Sequence, residues 1–169
     1  MKKLISSLTL VALIGMIVAV GAGASDTGSV AATVTGEVVA VTVEDGTVAY
    51  GTLSPNDTEN TVTLVDTQVV TNTGNVAEDF TIKGTDVEGG WDIGPAADED
   101  IYFHGWCIDL TAGCDAEGEY TAMTNGYTAF VSNKAAAGHT DLDLWIHVPT
   151  VNTKTAQQAV NVDILATEH

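Results

Sequence analysis

The sequence predicts an all-β fold, an antiparallel β-sandwich of jelly-roll or immunoglobulin-like type with about nine to ten strands. Three observations predict it. Apolar and polar residues alternate along short runs, as in Phe80-Thr81-Ile82-Lys83 and Asp141-Leu142-Asp143-Leu144-Trp145-Ile146. Turn-forming residues punctuate those runs at Glu44-Asp45-Gly46, Ser54-Pro55-Asn56-Asp57, Asn72-Thr73-Gly74-Asn75 and Thr124-Asn125-Gly126. Beyond residue 24, no stretch carries the apolar periodicity of an amphipathic helix.

Taken in order, the chain opens with Lys2 and Lys3, an apolar run from Leu8 to Val20, and the small residues Ala22-Gly23-Ala24. That is the layout of a secretory signal peptide over 1–24, with Ser25 as the mature start. An uncleaved membrane anchor is the competing reading of the same run. The segment 25–36 is a separate N-terminal piece, and 37–169 is the sandwich domain. Val30 to Val43 alternates almost continuously, broken by Gly36, where a bulge, a hinge or a strand boundary is expected. Glu44-Asp45-Gly46 turns the chain into a partner strand, Thr47 to Leu53.

Next come one long strand through Val62, Leu64, Val69 and Val70, the Asn72–Asn75 turn, and a strand through Phe80 and Ile82. A short strand is expected at Trp91 to Ile93 and an aromatic-rich one at Ile101 to Leu110. Glu119 to Met123 and Tyr127 to Val131 flank an Asn-Gly pair and read as a hairpin. Lys134 to His139 is the one hint of helix, at most a single turn. Asp141 to Val148 puts Leu142, Leu144 and Ile146 on one face and Trp145 and His147 on the other, and Pro149 ends it. Ala156 to Ala166 is the closing strand.

Charge and cysteines bound the compartment and the partners. The formal charge is −18, and losing Lys2 and Lys3 with the signal makes it −20. What remains is Lys83, Lys134 and Lys154, no Arg, and all 23 acidic residues. Such a chain is repelled by nucleic acid and by anionic membranes, so neither is an expected partner. Cys107 and Cys114 form a close pair that reads as a disulfide in an exported protein, a two-cysteine metal site being the alternative.

No catalytic constellation appears, and the chain reads as a non-enzyme. There is no Gly-x-Ser-x-Gly elbow. Neither cysteine is followed by the His and Met that a blue-copper site needs. Acids are too plentiful for any one pair to mark glycoside cleavage. Calcium is the one ion worth placing. Asp98 and Asp100 lie on an acidic loop, and Asp141 and Asp143 share one side of a strand, against the alternative of solvated carboxylates. The aromatics Trp91, Trp106, Trp145, Tyr102, Tyr120 and Tyr127 belong either to the core or to a glycan-stacking platform. Asn56-Asp57-Thr58 fits a glycosylation sequon.

Two turn motifs carry a resemblance. Tyr50-Gly51-Thr52-Leu53-Ser54-Pro55 and Thr71-Asn72-Thr73-Gly74-Asn75, with the closing Val148-Pro149 turn and last strand, resemble prokaryotic surface proteins. These include fibre subunits of the TasA/camelysin kind and archaeal bundling pili. The resemblance implies a secreted structural subunit of a fibre, pilus or surface coat that polymerises with itself by strand addition. The segment Ser25 to Thr35 is the candidate donor, with Val30, Ala32 and Val34 as the inserting residues. Pairing of that segment within its own sheet is the alternative. The alternative function is a cell-surface adhesin or glycan-binding domain, with calcium as its ion.

Overall fold

The computed structural model describes residues 31–108, 113–154 and 156–169. The chain divides into an N-terminal unit, Met1–Val34, and a compact unit, Thr35–His169. The signal peptide over 1–24 and the donor residue Val30 lie outside the described residues. Of the N-terminal unit, 31–34 are described; they are exposed and belong to no strand.

The compact unit is a sandwich of two unequal sheets. Its elements are β1 (Val41–Val43), β2 (Thr58–Asn60), α1 (Thr61–Leu64), β3 (Gln68–Asn72), β4 (Glu78–Gly84) and β5 (Asp92–Gly94). They are followed by β6 (Ile101–Cys107), β7 (Thr121–Ala122), β8 (Thr128–Lys134), β9 (His139–His147) and β10 (Val162–Glu168). The larger sheet has seven strands in the order β1-β3-β9-β6-β5, with β2 added to β9 and β7 to β6. The smaller has three, β10-β4-β8. Pairings are antiparallel apart from β5 with β6. Apolar side chains from both sheets meet between them: Val70, Leu142 and Leu144 from the larger, Phe80, Ile82 and Phe130 from the smaller, with Met123 beside them. Alternation along β9 drives this, since its Leu142, Leu144 and Ile146 are all buried on the inner face.

The expected long strand is interrupted. β2 and β3 both lie along β9, pairing Asn60 with Trp145 and Gln68 with Leu142. Residues 61–67 leave the ladder between them, opposite Asp143 and Leu144. The excursion is stabilised locally. The Asn60 side chain accepts from Thr63 N at 2.7 Å as an N-cap. Asp143 Oδ1 accepts from the Thr61 and Thr67 hydroxyls at 2.8 and 2.6 Å, and Leu144 N donates to Thr61 Oγ1 at 2.9 Å. Polar satisfaction at a buried carboxylate outweighs strand continuity here.

Other expectations are also corrected. The Glu44-Asp45-Gly46 turn forms, with Asp45 and Gly46 in the left-handed region, yet Thr47 to Leu53 joins no sheet. The Asn125-Gly126 turn does not close a hairpin: β7 pairs with β6 and β8 with β4, so the chain crosses there between sheets. Met123 and Phe130 both enter the core, which requires that crossing. Residues 135–138 form a turn without helix, with Ala137 at φ 60° and Asn72 O accepting from Ala137 N. The last strand begins at Val162, six residues later than expected.

The disulfide is present. Cys107 at the end of β6 bonds Cys114, with the Cα atoms 6.0 Å apart. It lies on the outer face of the larger sheet, in a cluster with Phe103, Tyr120 and Trp145.

Candidate functional site: a cleft between the sheets

A three-stranded sheet cannot cover the inner face of a seven-stranded one. The part left by the smaller sheet is covered by the segments 47–53 and 156–162, with a space of about 1070 Å³ among them, so that the residues beneath are buried. Its floor is Leu142, Leu144, Ile146 and Val148 with His104 of β6. One wall is the extended segment 47–53, whose Val48, Tyr50 and Leu53 are half-buried while Ala49, Gly51 and Thr52 are exposed. The other wall is 156–162, where Gln158, Val160 and Val162 turn inward. Both walls therefore have the side-chain alternation of strands. Neither enters a ladder, and among the described residues the main chain of 48–53 and of 157–161 makes no backbone–backbone hydrogen bond. Below them, β10 is an edge strand of the smaller sheet, and its Val162 and Ile164 border the cleft.

At one end the cleft is lined by Tyr50, Trp91 and His104. Tyr102, His104 and Trp106 share a face of β6, and period two turns all three toward the smaller sheet. His104 is 1% exposed and shares a 3.0 Å hydrogen bond between Nε2 and the Tyr50 hydroxyl, while Nδ1 has no partner among the described residues. Burial lowers the His104 pKa to about 4, so the ring is neutral at neutral pH. Burial also raises the Tyr50 hydroxyl well above its ordinary value. Tyr102 packs against His104 and Trp91 at centroid distances of 6.1 and 6.2 Å, and its hydroxyl donates to Thr85 O. At the rim, Trp91 Nε1 donates to Asn152 Oδ1 at 3.0 Å, and Trp91 N donates to Gln158 Oε1 at 3.2 Å.

A second feature lies at the opposite end of β1. Residues Gly36–Ala40 prolong the β1–β3 line past the Asn72–Asn75 turn, held mainly by the turn and by Glu78. Ala40 O accepts from Thr73 N and Gly74 N at 2.8 and 3.2 Å, and Val38 O accepts from Asn75 N at 3.0 Å. Val38 N donates to Asn75 Oδ1 at 2.7 Å, and Asn75 Nδ2 donates to Gly36 O at 2.8 Å. Ala40 N donates to Glu78 Oε1 at 2.8 Å. A Cβ on Gly74 would collide with Val38 O and Glu78 Oε1, so this contact requires glycine.

The other anticipated residues fall apart from one another. Ala32 and Val34 are exposed outside any strand. Asp141 and Asp143 do not act together: Asp141 is exposed, and Asp143 is buried under Thr61 and Thr67. Asp98 and Asp100 lie beyond the far end of β9, where Asp98 O accepts from Thr150 N. Asp100 accepts from the Thr153 hydroxyl and backbone and lies 3.7 Å from Lys154 Nζ. These contacts, the Thr153 hydroxyl first, hold its carboxyl below the usual carboxylate range. Among the described residues no three His, Cys, Asp or Glu side chains gather as a metal site.

Sequence reasoning missed the Tyr50–His104 pair, the open walls and the Gly36–Ala40 contact. The first was within reach, because alternation along Ile101–Cys107 already groups Tyr102, His104 and Trp106. The walls carry no such signal, since a strand pattern is the same with or without a partner. No protein family, curated protein or solved structure matches this chain.

Proposed function

We propose that the protein is an exported structural subunit of an extracellular fibre, pilus or surface coat. In this reading Ser25–Thr35 of one copy lies as a strand in the cleft of the next. The observation that carries it is the pair of unpaired walls. Strand-like main chain that, among the described residues, makes no backbone–backbone hydrogen bond, lying over a buried apolar floor, supports a strand acceptor whose walls part to admit a strand, and small apolar residues such as Val30, Ala32 and Val34 suit that floor.

Polarity supports the same reading. The chain leaves the compact unit beside Asn75, near the level where β9 begins, whereas the cleft runs from Leu142 toward Val148 at the other end of β9. An arm at one end and an acceptor toward the other make a head-to-tail contact, which does not close on itself and propagates as a filament. Val38 and Val39, at the base of the arm, are 52% and 41% exposed, which leaves apolar surface for a neighbour to cover.

The test is negative-stain microscopy with sedimentation of the mature chain, with and without residues 25–35. The full mature chain is expected to form filaments and the shortened one to stay monomeric. A full-length chain that remains monomeric at high concentration sinks the proposal.

The aromatic end of the cleft favours a second reading, a surface domain that holds a glycan. Trp91 offers a partly open indole face beside the amides of Asn152 and Gln158. Glycan-array binding by a monomeric protein, abolished by Trp91→Ala, would support it over the filament. Calcium dependence, read from loss of binding in EDTA, is a separate outcome of that assay.

A further inference from the structure

We infer that Asn125 is a modification site: its side-chain amide is lost by attack of the Gly126 nitrogen, and the carboxylate left in its place unties the crossing between the sheets from the end of β4.

The chemistry is local. Of the eight asparagines in the chain, Asn125 alone precedes a glycine. Attack on a side-chain amide by the next residue's main-chain nitrogen needs that nitrogen unhindered and the main chain free to bend, and glycine supplies both. Asn125 and Gly126 are exposed and outside any strand, whereas Asn60 and Asn72 are buried. Gly126 N donates to the Thr124 hydroxyl at 3.2 Å, and that hydroxyl donates to Gly126 O at 3.1 Å. Both bonds lie within the turn itself. In the reaction Gly126 N gives its proton to water and bonds to Asn125 Cγ. The Cγ–Nδ2 bond breaks, and Nδ2 takes a proton from water and leaves as ammonia. The cyclic imide then adds one water. Breaking its new Cγ–N bond gives aspartate, and breaking the bond from the Asn125 carbonyl carbon to the same nitrogen gives isoaspartate. Ammonia is exchanged for water, and nothing is oxidised or reduced.

The surroundings of Asn125 give that exchange a consequence. Asn125 Nδ2 donates to Asp86 Oδ2 at 2.7 Å, and Asp86 Oδ1 accepts from Ile93 N at 2.9 Å. Beside them Gly84 N donates to Thr124 O at 3.1 Å, and Lys83 Nζ lies 4.8 Å from the centre of the Tyr127 ring. Asp86 therefore ties the turn to the segment that leads into β5. A carboxylate at position 125 has no proton to donate and repels Asp86 instead. Isoaspartate also lengthens the main chain by one methylene. Met123 and Phe130 remain in the core on either side of the turn, so the loosening is confined to the turn and to 86–93.

The test follows the full chain through prolonged incubation in neutral buffer by peptide mapping and mass spectrometry, as wild type and as Gly126→Ala. Gly126 is outside the left-handed region, and a Cβ there would meet nothing closer than Thr124 Oγ1 at 3.7 Å, so alanine fits the fold while crowding the attacking nitrogen. We expect a gain of one dalton at Asn125 before any other asparagine, and a several-fold slower gain in Gly126→Ala. Conversion of another asparagine first, or conversion of Gly126→Ala at the wild-type rate, overturns the site. Asn125→Asp reports the consequence. Loss of a hydrogen bond to a charged group should quicken amide exchange of Ile93 roughly tenfold or more. An Ile93 amide that exchanges at the wild-type rate in Asn125→Asp overturns the untying.

Discussion

His104 shows how one residue couples burial, chemistry and pH. It sits under the cleft with one nitrogen bonded to Tyr50 and the other without a partner among the described residues, and a charged imidazole there would lose its hydration. Its folded pKa of about 4 lies below the ordinary 6.5, so the unfolded chain binds the proton more readily throughout that window. The stability its neutrality provides is therefore fully present above pH 6.5 and is lost as pH falls through 4. The gap corresponds to roughly 3 kcal/mol. Denaturant melts of wild type and His104→Gln at pH 7 and pH 4 should diverge by about that amount, the wild type losing more. Parallel pH dependences would show that His104 is not buried as a neutral ring.

Among the elements, the Cys107–Cys114 bond is a staple on the outer face of the larger sheet. Cys114 is buried, and Tyr120 donates to its carbonyl at 2.7 Å, so Cys114 is held by packing as well as by the bond. Closing eight residues removes unfolded-chain freedom worth about 2–3 kcal/mol. The double variant Cys107→Ser/Cys114→Ser should lose that much in a denaturant titration while keeping its fold, and an unchanged midpoint would contradict the staple. The same scale explains what was legible. Strands β4 and β9 could be read because two faces of different polarity write a period of two into their residues, and β6 because its run is dense in aromatic residues. The excursion at 61–67 could not, because it depends on Asp143, distant in sequence, accepting from Thr61 and Thr67. Nor could the crossing at Asn125-Gly126: turn residues specify that the chain bends, while Met123 and Phe130 decide which sheet it enters. The disulfide was readable from the close spacing of the two cysteines together with the export expected of the chain. The cleft was not, since it arises from the inequality of the two sheets, a property no local pattern records.

Within the compact unit, residues 36–40 run along the Asn72–Asn75 turn at one end, and the cleft lies toward the far end of β9. The formal charge of −18 opposes close approach of copies, so association would come from short-range complementarity, which main chain without a backbone partner among the described residues and an apolar floor offer. The central claim is that the walls 48–53 and 157–161 acquire their missing hydrogen bonds from an incoming strand. Amide hydrogen exchange measures this directly, by comparing the mature chain at concentrations favouring assembly with the chain lacking 25–35. The account predicts rapid exchange of both walls in the shortened monomer and protection of at least about 100-fold on assembly, confined to the walls and the free edge of β10. Walls already protected in the monomer, or equally exposed in the assembled state, would contradict it.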